Sequence, residues 1–219
     1  MSLKNYIKNK KVNHFTVNGV EIFVKDPITN NISANKVVNS VFDSIPRHLM
    51  RNVESIYIGN FEFLNSRGIQ GVYENSSIFV TNIQDDEDDL FDDILHEVAH
   101  SVEEIYSRHL YEDGEMEREF LAKRKSMWVA LKNQGIETEL SSYLNSEYEE
   151  KFDNFLYNEV GYSTLSLLVS NIFHSPYAAT SLREYFADGF EAFFMQDDIS
   201  RLKNLCPVLF TKIVKLMEE

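Results

Sequence analysis

The chain has 219 residues, with 21 Lys and Arg against 35 Asp and Glu, a formal net charge of −14. Hydrophobic residues are 43% and charged residues 26%, which suits one domain or one two-lobed domain and excludes wholesale disorder. The acid excess excludes nucleic-acid binding, which needs clustered Lys and Arg to neutralise phosphates, and it excludes a polybasic membrane contact.

The N-terminus, Met1 to Lys11, is polar and basic with no apolar core, so no signal peptide is expected in this chain. No apolar run approaches the ~18 residues that span a bilayer. Phe15-Thr16-Val17-Asn18-Gly19-Val20-Glu21-Ile22-Phe23-Val24 alternates about Asn-Gly and predicts a tight hairpin. Ser33 to about Ile45 reads as a helix, capped by Ser33 or Asn35, with Val37, Val38, Val41 and Phe42 as its apolar stripe. Ser55 to Ile58, Gly71 to Tyr73 and Ser77 to Thr81 read as short strands. Beyond residue 110 the period changes to 3.6, and helices are expected near 113–133, 138–157, 181–196 and 207–218. The fold class is therefore α+β: a small mixed N-terminal sheet lobe, about 1–107, and a helical C-terminal lobe, about 108–219, within one domain of 1–219. The single cysteine, Cys206, allows no internal disulfide and reads as a buried structural thiol.

Seven acids fall between Asp85 and Asp93. They lack the alternating spacing, central Gly and terminal Glu of a calcium loop. They suit a helix N-terminus, where acids accept orphan N–H groups and complement the macrodipole.

The helix that follows carries His96-Glu97-Val98-Ala99-His100, an H-E-x-x-H. Histidines at i and i+4 share one face and can reach one metal ion. Glu97 is rotated by about 100° from His96, placed to serve a water rather than to ligate. Ile94, Leu95, Val98, Ala99, Val102 and Ile105 make the rest of the helix apolar. Two imidazoles and a carboxylate buried there are costly without a partner, and one zinc ion per chain supplies one.

A catalytic zinc normally takes a third protein ligand. Gly at 103 and His at 106 would mark a metzincin; Glu103 and Tyr106 stand there instead. His109 lies on the opposite helix face, His14 and His48 read as surface or structural, and His174 is a weaker option. A ligand Glu followed four residues later by an orienting acid occurs as Glu149…Asp153 and as Glu184…Asp188. The first lies in a charged, solvated stretch. The second lies among Tyr185, Phe186, Phe190, Phe193 and Phe194, where a buried acid needs a partner, and this favours Glu184 without removing Glu149.

With these residues in hand, the chain resembles a known superfamily. His96-Glu97-Val98-Ala99-His100, Glu184-Tyr185-Phe186-Ala187-Asp188-Gly189-Phe190 and Tyr177 are similar to the catalytic domain of anthrax lethal factor-like zinc metallopeptidases and to the clostridial Pro-Pro endopeptidases. There the downstream motif reads E-F-F-A-E-x-F, with a tyrosine seven residues before its first Glu. Leu202-Lys203-Asn204-Leu205-Cys206-Pro207 is similar to the tail of the Pro-Pro enzymes. The match covers about 90–105 and 175–219. It implies a zincin-like fold with the active-site cleft between the lobes. His96, His100 and Glu184 would be zinc ligands, Glu97 the general base, and Tyr177 a hydroxyl donor to the developing oxyanion. Asp188 departs from the usual Glu but is expected to orient a ligand His. Gly189 also departs and is expected to loosen its helix.

The resemblance implies a zinc-dependent endopeptidase acting on a peptide or protein, a monomer, and a secreted protein whose signal is not in this chain. Ser77, Ile78, Phe79, Val80 and Thr81 are expected as a sheet edge that pairs with the substrate backbone, or else as an ordinary core strand. The competing classes are an inactive lethal-factor-like binding module of a toxin system, which would usually have lost one of the five site residues, and a structural zinc protein, which would want four protein ligands. Neither the scissile bond nor any Pro-Pro preference follows from these residues.

Overall fold

A computed structural model describes residues 13–196 and 199–218. The basic stretch Met1 to Lys11, read above as lacking a signal peptide, lies outside the described residues. The chain divides into two compact units, Met1–Ile105 and Tyr106–Glu219. The described residues are α+β, with a sheet in the first unit and helices filling the second.

Strands β1 (Asn13–Val17) and β2 (Val20–Val24) form the expected hairpin. Asn18 at φ 51 and Gly19 at φ 93 take the two left-handed positions of a turn whose twist matches that of the strands. Helix α1 (Ala34–Ser44) follows, and the Ser33 hydroxyl accepts from the Lys36 N–H at 3.4 Å. It buries Val37, Val38, Val41 and Phe42, the stripe its spacing predicted. Strand β3 (Ser55–Ile58) and the short helix α2 (Glu62–Arg67) lead to β4 (Gly71–Glu74) and β5 (Ser77–Val80).

The strand order is β1-β2-β3-β5-β4, with β2, β3 and β5 parallel and the two outer pairings antiparallel. Register explains why this sheet holds. Ile22, Ile56 and Ile78 align across three strands and are fully buried. On the opposite face Phe23, Tyr57 and Phe79 align and stack at 4.9 Å between successive ring centroids. Cross-strand aromatic pairs of this kind add to burial.

The sheet corrects one expectation. Ser77 to Val80 pairs on both sides, with β3 and with β4, and Thr81 lies just beyond the strand. Residues 77–81 are therefore an interior strand and its end, the ordinary core strand of the two readings. Among the described strands the edges are β1 and β4. The reason is a crossover: the chain reaches the outermost position first, as β4, and returns through the turn at Asn75 and Ser76 to fill the gap beside β3.

Helix α3 (Glu87–Tyr111) carries the H-E-x-x-H motif. Asp86 Oδ1 accepts from the N–H groups of Asp88 and Asp89, at 2.9 and 3.0 Å, so the acidic block is a helix start as expected. Leu90, Ile94, Leu95, Val98, Ala99 and Val102 are fully buried.

The second unit begins with α4 (Glu115–Asn133). The segment expected as one helix over 138–157 is instead broken into α5 (Leu140–Tyr143), α6 (Glu150–Asn154) and a wide turn over Phe155–Gly161. Buried Arg124 gives the reason. Its guanidinium donates to the carbonyls of Ser142 and Asn145, at 2.6 and 2.7 Å, and the Ser146 carbonyl accepts from the Leu182 N–H at 2.8 Å. Those acceptors are unavailable to a continuing helix ladder. Helices α7 (Tyr162–Val169), α8 (Leu182–Met195), α9 (Ile199–Leu205) and α10 (Pro207–Met217) complete the unit. Among the described residues no helix is long and apolar enough to cross a membrane.

Candidate metal centre

The H-E-x-x-H segment sits in the most buried part of α3. His100 and Glu97 are buried and His96 is half-buried. The two imidazole rings stand 5.1 Å apart between centroids at an interplanar angle of 80°, as one turn of helix dictates. Leu95, Val98 and Ala99 fill the remaining faces with fully buried apolar side chains. The helix thus carries two imidazoles and a carboxylate into a low-dielectric setting, where each needs a polar partner.

His100 has one such partner. Its Nδ1 lies 3.4 Å from Glu103 Oε2, and both side chains are nearly inaccessible. A proton on Nδ1 directed at this carboxylate makes Nε2 the nitrogen that can ligate. In the sequence Glu103 serves only to exclude a metzincin; its place beside His100 depends on burial, which an acid three residues on along the same helix face could have suggested.

Further acids stand at the start of the motif. Gln84 Nε2 donates to Asp93 Oδ2 at 2.8 Å. Burial, followed by the charges of Asp89, Asp92 and Glu97, pushes the Asp93 carboxyl up to about 7, with the Gln84 hydrogen bond working against the shift.

Glu97 also has a close neighbour on the sheet. A Cβ built on Gly71, the first residue of β4, would meet Glu97 Oε1 at 2.7 Å and Cγ at 2.9 Å. The strand backbone therefore runs close to this carboxylate, and any larger residue at 71 would force the Glu97 side chain to shift.

In the second unit Glu184 is the third residue of α8. The Ser181 hydroxyl caps that helix by accepting from the Glu184 N–H at 3.2 Å. Glu184 is half-buried, whereas Glu149 is exposed in the charged stretch expected for it. Asp188, one turn on, is buried, and its Oδ2 lies 3.7 Å from His174 Nδ1. Asp188 was expected to orient a ligand histidine; the imidazole it faces is that of His174. Tyr177 begins a single 3-10 turn, Tyr177–Ala179, with its side chain exposed. Its carbonyl is held by the Thr180 N–H and hydroxyl, at 3.0 and 2.8 Å.

One ligand atom from each of His96, His100 and Glu184 lies within 4.8 Å of the other two. Two neutral imidazoles and one carboxylate are a donor set suited to zinc, and three protein ligands leave a position open. The residues present therefore fit the ion. His174 is not part of that group.

Cys206 is fully buried. Burial pushes its thiol up, so it behaves as the structural thiol expected rather than as a nucleophile. Gly189 was expected to loosen α8. It does the opposite: a Cβ there would meet Leu209 Cδ2 at 2.3 Å, so glycine lets α8 and α10 approach closely.

Comparisons with protein-family models, with curated proteins and with solved structures find no match.

Proposed function

We propose that the chain is a zinc-dependent endopeptidase with a zincin-like arrangement, related in its site to the lethal factor-like metallopeptidases. The observation that carries this reading is the grouping of His96, His100 and Glu184 ligand atoms within 4.8 Å, with Glu97 on the same helix turn. The two imidazoles and the Glu184 carboxylate would hold the ion. Bound there, zinc would act as a Lewis acid and lower the pKa of a coordinated water toward ~7.

The rest belongs to the chain's own groups. Glu97 accepts a proton from the water that attacks the peptide carbonyl, then delivers it to the leaving amine. Glu103 holds the His100 ring by its Nδ1 side, fixing the tautomer that can ligate. The Tyr177 hydroxyl donates to the carbonyl oxygen as it gains negative charge, a role whose loss typically costs about 10²–10³ in rate. β4 is the edge strand whose backbone passes Glu97, so an extended peptide added to that edge lies next to the base. This moves the substrate-pairing role from residues 77–81 to 71–74.

Two substitutions test the reading. Glu97→Gln keeps about one zinc per chain, measured by elemental analysis, and abolishes cleavage of a quenched-fluorescent peptide library. Retained cleavage sinks the mechanism. Glu184→Ala loses zinc at a concentration that saturates the unmodified chain. Unchanged metal content there moves the third ligand elsewhere.

A further inference from the structure

Strand β4 is fastened to α3 at two places. The first is the contact of Gly71 with the Glu97 side chain, where any Cβ would overlap Oε1 and Cγ. The second lies two residues on, on the same face of the strand. There the Tyr73 hydroxyl donates to Glu104 Oε2 at 2.6 Å. Asn52 Nδ2 donates to the Tyr73 hydroxyl and also to Glu104 Oε2, the latter at 3.2 Å. Glu104 follows Glu97 by two helical turns, so both contacts fall on one side of α3. Burial, followed by Glu104, pushes the Tyr73 phenol up to about 12, and the hydroxyl stays a donor throughout the neutral range. A three-way contact of phenol, carboxylate and amide fixes direction as well as distance, which a single surface hydrogen bond does not.

We propose that Gly71 and Tyr73 are positioning residues that set the register of the β4 edge on α3 and thereby the place of the Glu97 carboxylate. The inference rests on the peptidase reading only in naming Glu97 as the base. Tyr73 holds the strand at one end of the contact. Gly71 lets the backbone close on the carboxylate at the other. A substrate strand added to β4 then meets the base at a fixed depth. A larger residue at 71 forces Glu97 to move, and a displacement of about 1 Å at a reacting group can cost about 10²-fold in rate.

The test uses the full chain with zinc bound and three variants: Gly71→Ala, Tyr73→Phe and Glu104→Gln. Gly71→Ala is expected to lower kcat on the peptide library about 10²-fold while KM and zinc content stay within about twofold of the unmodified protein. Tyr73→Phe and Glu104→Gln are each expected to speed amide hydrogen exchange at residues 71–74 about tenfold, leaving β2 and β3 unchanged. Wild-type kcat in Gly71→Ala overturns the positioning of Glu97. Unchanged exchange in Tyr73→Phe overturns the pinning of β4, and that arm also decides if Gly71→Ala does not fold. If the unmodified chain binds zinc but cleaves no peptide, the peptidase reading fails, and the exchange arm still decides the pinning.

Discussion

Asp93 lies one turn ahead of Glu97 and is held neutral for much of the acid range. Its carboxyl, ordinarily near 3.8, rises to about 7 because burial and three nearby carboxylates all oppose ionisation. The sign follows from linkage. The folded state binds this proton more tightly than the unfolded chain does. Its stabilising effect is complete below about pH 4 and is lost as pH rises through about 7. The loss is on the order of 2–4 kcal/mol. Asp93→Asn keeps an acceptor for Gln84 and removes the titration. In chelator-treated protein it is expected to raise the urea midpoint at pH 8 and leave it nearly unchanged at pH 4. Equal pH dependence in both proteins would show that Asp93 ionises normally. His96, Glu97 and His100 are legible because one turn of helix fixes their geometry. Asp93, Glu103 and Gly71 are not, because their roles come from burial and from a strand that packs on the helix.

Among the elements, α8 shows where a local rule misleads. Glycine inside a helix costs about 1 kcal/mol relative to alanine, so Gly189 looks like a weak point. The contact with Leu209 reverses that sign. Leu209 is fully buried on α10, and the Val208 and Leu209 N–H groups are tied to the Glu119 carboxylate at 2.9 and 3.2 Å. Its buried side chain would have to give way to admit a Cβ at 189. Gly189→Ala is therefore expected to destabilise the fold by about 1–3 kcal/mol, the range for overpacking a filled core, despite the gain in propensity. A higher melting temperature in calorimetry would mean that the helices part readily. The hairpin at Asn18-Gly19, the Ser33 cap and the stripe of α1 were legible for the opposite reason: each is decided by neighbours in sequence. The break between α5 and α6 was not, because Arg124, distant in sequence, takes the carbonyls that a continuous helix would have used.

For the whole molecule the legible part is the class, since strand-like patterns precede helical ones. The strand order is not, because the inward return of β5 depends on pairing partners that no local pattern names. Net charge is a property of this scale too. The charge of −14 is concentrated in part at and just ahead of the start of α3, where Asp85, Asp86, Asp88 and Asp89 are exposed, upstream of His96. Helix capping occupies one carboxylate oxygen of Asp86 and one of Asp89, and it neutralises neither charge. The remaining field attracts cations over about one Debye length, ~8 Å at physiological ionic strength. On the proposed peptidase reading, a peptide substrate bearing Lys or Arg beyond the reacting bond should therefore associate faster than an acidic one of equal length. Between about 0.02 and 0.5 M salt, kcat/KM for the basic peptide is expected to fall about tenfold, while that for the acidic peptide stays level or rises. Replacing Asp85, Asp86 and Asp88 with Asn should flatten the first curve and leave kcat unchanged, because steering acts on encounter and not on the bound complex. Identical salt curves for the two peptides would leave the block with its capping role alone.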